Sequence, residues 1–331
     1  MTSDVIIKPC PEHMMKLSPE WHWDVVARMF VKQTILDRLK VRQEAEQTEN
    51  LREAVATGRP VFSFSNHLSW SDHFLIMIAI DDCIRVPVAT LTKERYYQYP
   101  VFGWVLRRTN QIPLTNIKLC FARWFKQANG YLPRQSDFIQ FMTDSAADPS
   151  HEANVFKRQS LARSVAYTNQ MLERKRIILG YPEGTRSRQS GMQPIKTGIM
   201  QLPFECKGTI LPTAISGTDK ILPKGIKWHK IVSHIRSHQA VTTVRFGRPL
   251  DYTELLDRCE KKFERIDDLV NLENVWALRE QIENGAFRAF TAESERFERI
   301  FDESSLIVMR EVNENLPEEY KTEQVEIKYP R

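Results

Sequence analysis

Cysteine is scarce and scattered in this sequence: Cys10, Cys83, Cys120, Cys206 and Cys259, an odd number with no C-x-x-C pair. That pattern argues against a disulfide framework or a zinc knuckle and favours a reducing, cytoplasmic compartment. Long apolar runs are missing too. The longest, FLIMIAI at 74–80, falls far short of the roughly 20 residues that span a bilayer. The opening MTSDVIIKPCPEHMMKLS has no basic segment followed by an apolar run, so no signal peptide is expected. Internal repeats and low-complexity tracts are also absent. Any association with a membrane is therefore expected to be peripheral.

What is present fits a folded protein with a sizeable core. The chain has 331 residues, 42% of them hydrophobic, with 17 Phe, 7 Trp and 9 Tyr, which argues against disorder. The net charge of +5 is small but unevenly spread. Residues 157–188 carry eight Lys/Arg against two Glu, while residues 301–319 carry six Asp/Glu against one Arg. A local basic field attracts phosphates, although charge runs more often form solvated faces.

Ser18-Pro19-Glu20 reads as a helix start, with Ser as N-cap and Pro at the first helical position. Trp21, Val25, Met29, Leu36 and Leu39 share one stripe of that helix, interrupted by Lys32. The helical pattern continues, more polar, from 42 to 58. Strands are expected at 60–65, 84–91 and 111–114, in RIILGYPEG, TILPTAISG and AVTTVRFGRPL; helices are expected at 69–80, 119–129 and 156–173. This alternation predicts an α/β domain over 59–251 with a mixed, largely parallel central sheet flanked by helices. It predicts an N-terminal helical segment over 1–58 and a C-terminal helical region over 252–331 that ends in a loose acidic tail. Residues 129–150, with Gly, Pro, Ser and Asp, read as a loop within an insertion at about 117–158.

Two short stretches hold chemistry. In FSNHLSWSDHF, His67 and Asp72 are five residues apart, which on a straight helix is a rotation of about 140° and separate faces. They meet if His67 sits in the loop leaving a strand and Asp72 in the first helical turn. The carboxylate then fixes the imidazole tautomer, as in a hydrolase triad without its nucleophile. Taken alone, the pair is a weak signal, since structural histidines bonded to a helix-capping Asp are common. His73 adds no metal-ligand spacing, so no metal site is expected. In GYPEGTRSR, Glu183, Gly184, Thr185 and Arg186 follow a strand, where open α/β sheets bind ligands. Arg186 and Thr185 suit a phosphate. Taken alone, the turn is equally a structural one, with Arg186 paired to an acid.

Together, NHLSWSD and YPEGTRS resemble the motifs N-H-x-S-x-x-D and F-P-E-G-T-R-S of the glycerolipid acyltransferase superfamily, typified by the lysophosphatidic acid acyltransferases. Tyr181 stands where the motif usually has Phe. Further similarity lies in TKERYYQYPVFGWVLRRTNQIPL, in IKTGIMQL with Lys196 and Gly198, in ILPTAISG with Pro212 and Gly217, and in VRFGRPL. The resemblance covers about residues 60–250. It departs where Asn116 replaces the usual second-motif arginine, for which Lys118, Arg107 or Arg108 are the nearby substitutes.

The resemblance implies transfer of a fatty acyl group from an acyl thioester, on coenzyme A or acyl carrier protein, to a hydroxyl of a lysophospholipid or glycerol phosphate. It implies no cofactor beyond that co-substrate. His67 would be the general base, oriented by Asp72. Glu183, Gly184, Thr185 and Arg186 would grip the acceptor, with Asn66, Ser69, Ser187 and Pro212 in support. Phe74, Met77 and Trp104 are candidate walls of an acyl groove. The expected partners are membrane lipid and acyl carrier protein, with the Trp21/Trp23/Phe30 helix either the membrane contact or a support packed on the α/β domain; nucleic acid is not expected, because the basic stretch lacks interleaved aromatics. A transacylase similar to tafazzin and an inactive lipid-binding protein of the same fold are the competing readings.

Overall fold

A computed structural model describes residues 41–93, 96–97, 100–109, 111–114, 121–122, 125–126, 128–147, 152–187, 191–221, 233, 241–291 and 293–328. The helix expected from Ser18, with Trp21, Trp23 and Phe30, lies outside the described residues, as do Asn116 and Lys118. Along the chain the regular elements are β1 (Arg42–Glu46), α1 (Thr48–Ala56), β2 (Val61–Ser65), α2 (Asp72–Ile84), β3 (Val88–Lys93), α3 (Pro100–Arg108) and β4 (Ile112–Leu114). Next come α4 (Gln135–Ala147), α5 (Glu152–Glu173), β5 (Ile177–Gly180), α6 (Gln201–Glu205), β6 (Thr209–Ser216) and α7 (Thr218–Ile221). Strands β7 (Val241–Phe246) and β8 (Leu250–Asp251) precede the helices α8 (Tyr252–Arg265), α9 (Leu269–Glu283) and α10 (Glu298–Glu314).

The described residues form two compact units, one within 91–170 and the other within 41–90 and 171–328. The second holds the main sheet, in the order β1-β7-β6-β2-β5 followed by residues 88–90 of β3, with β8 also on β6; residues 91–93 of β3 pair with β4 in the first unit. Pairings are parallel except where β7 and β8 run antiparallel to β6. Every residue of β2, β5 and β6 is buried, as expected of strands covered on both faces. On one side Leu211 and Ile215 of β6 join Leu51 of α1 and Leu75, Ile76 and Ile80 of α2 in one apolar cluster. On the other side Ala214 joins Met309 and Val312 of α10. The apolar run at 74–80 is thus a buried helix rather than an amphipathic one. Helix α2 continues to Ile84 and stops at Arg85, whose left-handed φ of 54° ends it; the next strand starts later than its sequence suggests.

Pro212 stands in the middle of β6, where a missing N–H should break a ladder. Its position avoids that cost. Thr209 and Ile210 pair with β8, and 213–216 pair with β7, so Pro212 falls between the two partners. Its carbonyl still accepts from Gly247 N–H at 2.7 Å. Pro212 is therefore a framework residue of the sheet.

Three expectations are corrected here. Residues 42–46 are not helical: RQEAE pairs in parallel with β7 from Arg42↔Val241 to Glu46↔Arg245. These are helix-favouring residues on a sheet edge, and pairing overrides a weak propensity. Residues 129–150 are not all loop, because α4 occupies 135–147. Asp137 reaches back to the Arg134 N–H at 2.7 Å, half of a capping box, and Phe138 and Phe141 pack on Phe121. Nor is the acidic tail loose through 328. Ile195 N–H donates to Glu326 O at 2.8 Å, Lys328 N–H donates to Ile195 O at 2.7 Å, and Val325 is buried.

Candidate active site

Three neighbouring parallel strands, β6, β2 and β5, end on one edge of the second unit's sheet. Residues 66–72 leave β2 and residues 181–187 leave β5. Asn66 is buried and extends the β2–β6 pairing with its side chain. Its Nδ2 donates to Ile215 O at 2.9 Å and its Oδ1 accepts from Ile215 N–H at 2.8 Å. The residue before His67 is thereby tied to the sheet.

His67 itself is held at three points. Its N–H donates to Glu183 Oε1 at 2.7 Å, and its carbonyl accepts from Ser187 N–H at 2.7 Å. Its Nδ1 lies 2.8 Å from Asp72 Oδ2. That oxygen also accepts from Leu68 N–H at 2.7 Å and Ser69 N–H at 2.8 Å. Asp72 is fully buried and opens α2, so its charge also sits at a helix N-terminus. The expected geometry, histidine in the loop and aspartate in the first turn, is the one observed. With Nδ1 donating to the carboxylate, Nε2 carries the lone pair. The imidazole keeps 19% of its side-chain surface exposed, while Asp72 has none.

The next residue along, His73, is half-buried. Burial first, then the charge of His67, lowers its pKa to about 4, against a smaller opposing pull from Asp72. It stays neutral at physiological pH, so the neighbouring positions 67 and 73 do not compete as cations.

The turn after β5 divides into a buried and an accessible part. Glu183 is 1% exposed, and its second oxygen accepts from Gln193 N–H at 2.7 Å. It ties the His67 loop to the segment after the turn, which corrects its assignment as a substrate contact. Ser187 is buried too. Besides its bond to His67, its hydroxyl donates to Gly191 O at 2.5 Å and accepts from Gln193 Nε2 at 3.2 Å. Gly184, Thr185 and Arg186 are partly exposed. Gly184 has a φ of +62°, and the Lys196 side chain lies across it, with Cδ, Cε and Nζ each 3.3 Å from where a Cβ would stand. The Arg186 guanidinium lies 5.0 Å from the centre of the Trp70 ring. Ser69 and Ser71 share a hydroxyl bond of 3.0 Å inside the histidine loop.

Of the proposed groove walls, Met77 is core and Phe74 is half-buried against the His73 ring, 3.7 Å away. Trp104 is exposed and belongs to the first unit, where the Arg108 guanidinium stacks over it at 5.7 Å. Arg107 donates to Tyr97 O at 3.3 Å. Three contributors are not legible as such in the sequence. Gln193 comes from beyond the motif with nothing local to mark it, and Lys196 was in view only as part of the similar stretch IKTGIMQL, without a role. Tyr181 stacks on His67 with ring centroids 4.2 Å apart and 22° between planes. Its signal was in view, as the one aromatic that departs from the motif.

The arrangement is an imidazole with a fixed tautomer, beside a turn that presents a glycine, a hydroxyl and an arginine, with the Lys196 side chain laid across the glycine. The family model described as Acyltransferase matches residues 42–216, a little over half of the chain. The 1-acyl-sn-glycerol-3-phosphate acyltransferase BAT2, chloroplastic, of Brassica napus is 19% identical over 177 residues, 54% of this chain. The match spans only 39% of that protein's length. The crystal structure of the 1-acyl-sn-glycerophosphate (LPA) acyltransferase PlsC of Thermotoga maritima aligns with a TM-score of 0.40 and 18% identity, over 80% of this chain and 84% of that one.

Proposed function

The chain belongs to the acyltransferase family, and from that premise we propose that it moves a fatty acyl group from an acyl thioester to a hydroxyl of a lysophospholipid or glycerol phosphate. The thioester is carried by coenzyme A or acyl carrier protein. The observation that carries this reading is the 2.8 Å contact between His67 Nδ1 and Asp72 Oδ2, in a loop clamped to the glycine turn.

An alcohol is a poor nucleophile at neutral pH and needs a base within hydrogen-bond reach. His67 Nε2 takes the hydroxyl proton as the oxygen attacks the thioester carbonyl. Asp72 holds the ring and stabilises the imidazolium. When the tetrahedral intermediate collapses, the carbon–sulfur bond breaks and the imidazolium returns its proton to the leaving thiolate. The ester stays on the acceptor, and no covalent acyl-enzyme is needed. Arg186 of the turn, and Lys196 lying across Gly184, supply the charge for the acceptor phosphate.

A lysophospholipid acceptor and the acylated product both reside in a membrane, so we place the protein peripherally on a membrane surface. No helix among the described residues is long and apolar enough to cross one. The exposed Tyr131, Leu132 and Ile139 of the first unit supply an apolar contact. Residues 127–143 around them contain two charged residues, Arg134 and Asp137, in a chain that is 27% charged.

The test is thiol release from oleoyl-CoA by purified protein, across a panel of lysolipids and glycerol 3-phosphate, beside a His67→Ala control. Acceptor-dependent release that is lost in the control supports the reading. Acyl exchange between phospholipids without thiol release replaces it with a transacylase. Silence with both coenzyme A and carrier-protein donors overturns it.

A further inference from the structure

Tyr181 has no task in the mechanism above, yet it touches the base. Its ring lies flat against the His67 imidazole. Its hydroxyl oxygen is enclosed and bonds to no described residue, and one oxygen of Asp72, Oδ1, is in the same condition. A phenylalanine would make the same stack without burying a hydroxyl, and buried polar groups are seldom left idle. The hydroxyl also stays protonated: burial, and after it the charge of Asp72, holds its pKa well above the usual phenol value. A permanent donor is thus enclosed on the ring that stacks against the imidazole held by the buried Asp72 carboxylate.

We infer that Tyr181 is a positioning residue for the base, its ring fixing the plane of the His67 imidazole and its hydroxyl dipole favouring the ionised form of Asp72. The kinetic consequence rests on the acyl-transfer reading above; the effect on the imidazole does not. A donor that favours the carboxylate partly offsets its negative potential. Removing that donor leaves the field of the carboxylate on the imidazole less offset.

Two variants separate the ring from the hydroxyl. In Tyr181→Phe the stack remains and the O–H is lost. The His67 titration, followed by NMR of ring-labelled histidine and assigned with His67→Asn, is expected to move up by about half a unit or more. The acidic limb of the kcat profile moves with it. In Tyr181→Leu the ring is lost, and kcat is expected to fall by roughly tenfold while KM stays within about twofold. A Tyr181→Phe titration that superimposes on wild type overturns the role of the hydroxyl. A Tyr181→Leu enzyme with wild-type kcat overturns the role of the ring. Thermal melts confirm that both variants fold, and the conservative Phe carries the test if Leu does not. If the wild type acylates no acceptor, the proposed function fails while the NMR titration still decides the role of Tyr181.

Discussion

Glu183 and His67 are 116 residues apart in sequence and joined by a 2.7 Å hydrogen bond from the His67 N–H to the Glu183 carboxylate. The other oxygen of Glu183 holds Gln193 N–H, so one buried acid sets the place of two loops. A glutamine there accepts at one position only and points an NH2 group at the other donor. Glu183→Gln is expected to cost roughly 1–3 kcal/mol of stability and to lower kcat more than it raises KM. Thermal unfolding and steady-state kinetics check both.

The two members of the dyad differ in what they hold. His67→Ala removes the proton acceptor from a partly exposed site, so kcat is expected to fall by roughly 10²–10⁴-fold with little loss of stability. Asp72→Ala also removes the acceptor of three donors at one buried oxygen. It is expected to lose activity and several kcal/mol of stability together. Denaturant titrations of the two variants side by side make the comparison.

Acid stability has a marked contributor in His73. Its pKa is about 4 when folded and 6.5 when free. Between those values the unfolded chain binds more protons, so stability falls as pH drops through this window. The full loss from this group is roughly 3 kcal/mol, complete only below pH 4. His73→Gln, which does not titrate, is expected to flatten the stability profile between pH 6.5 and 4.

The C-terminal tail braces the second loop of the site through Ile195. Deleting residues 323–331 exposes the backbone of Ile195, two residues from the Gln193 N–H that Glu183 accepts. The truncated protein is expected to melt several degrees lower and to show reduced kcat. Adding back the tail through a Tyr320→Phe background tests the anchor separately. Tyr320 donates to Asp219 at 2.8 Å and accepts from Gly217 N–H at 3.2 Å, and the phenyl ring keeps neither bond.

The membrane contact proposed for the first unit predicts a change of partition rather than of chemistry. Tyr131→Ser with Leu132→Ser is expected to reduce sedimentation with phosphatidylcholine–phosphatidylglycerol vesicles several-fold. Activity on a water-soluble short-chain acceptor is expected to stay within about twofold. Unchanged sedimentation refutes this contact.

Much of the molecule was legible in the residues alone. The motif NHLSWSD points to a close pair of His67 and Asp72, because only a loop followed by a helical turn lets positions five apart meet. The apolar runs of β2, β5 and β6 announce strands buried on both faces, and their spacing by helices announces a mostly parallel sheet. These features depend on neighbours in sequence. Tertiary structure decided the rest, because the partners lie far along the chain. RQEAE is a strand only because β7 offers it an edge, 199 residues away. Glu183 reads as a ligand contact until His67 and Gln193 claim both its oxygens. Acidic residues after 322 read as a loose tail until Ile195 pairs with Ile327. Local pattern determined which groups can do chemistry; long-range pairing determined which of them are free to do it.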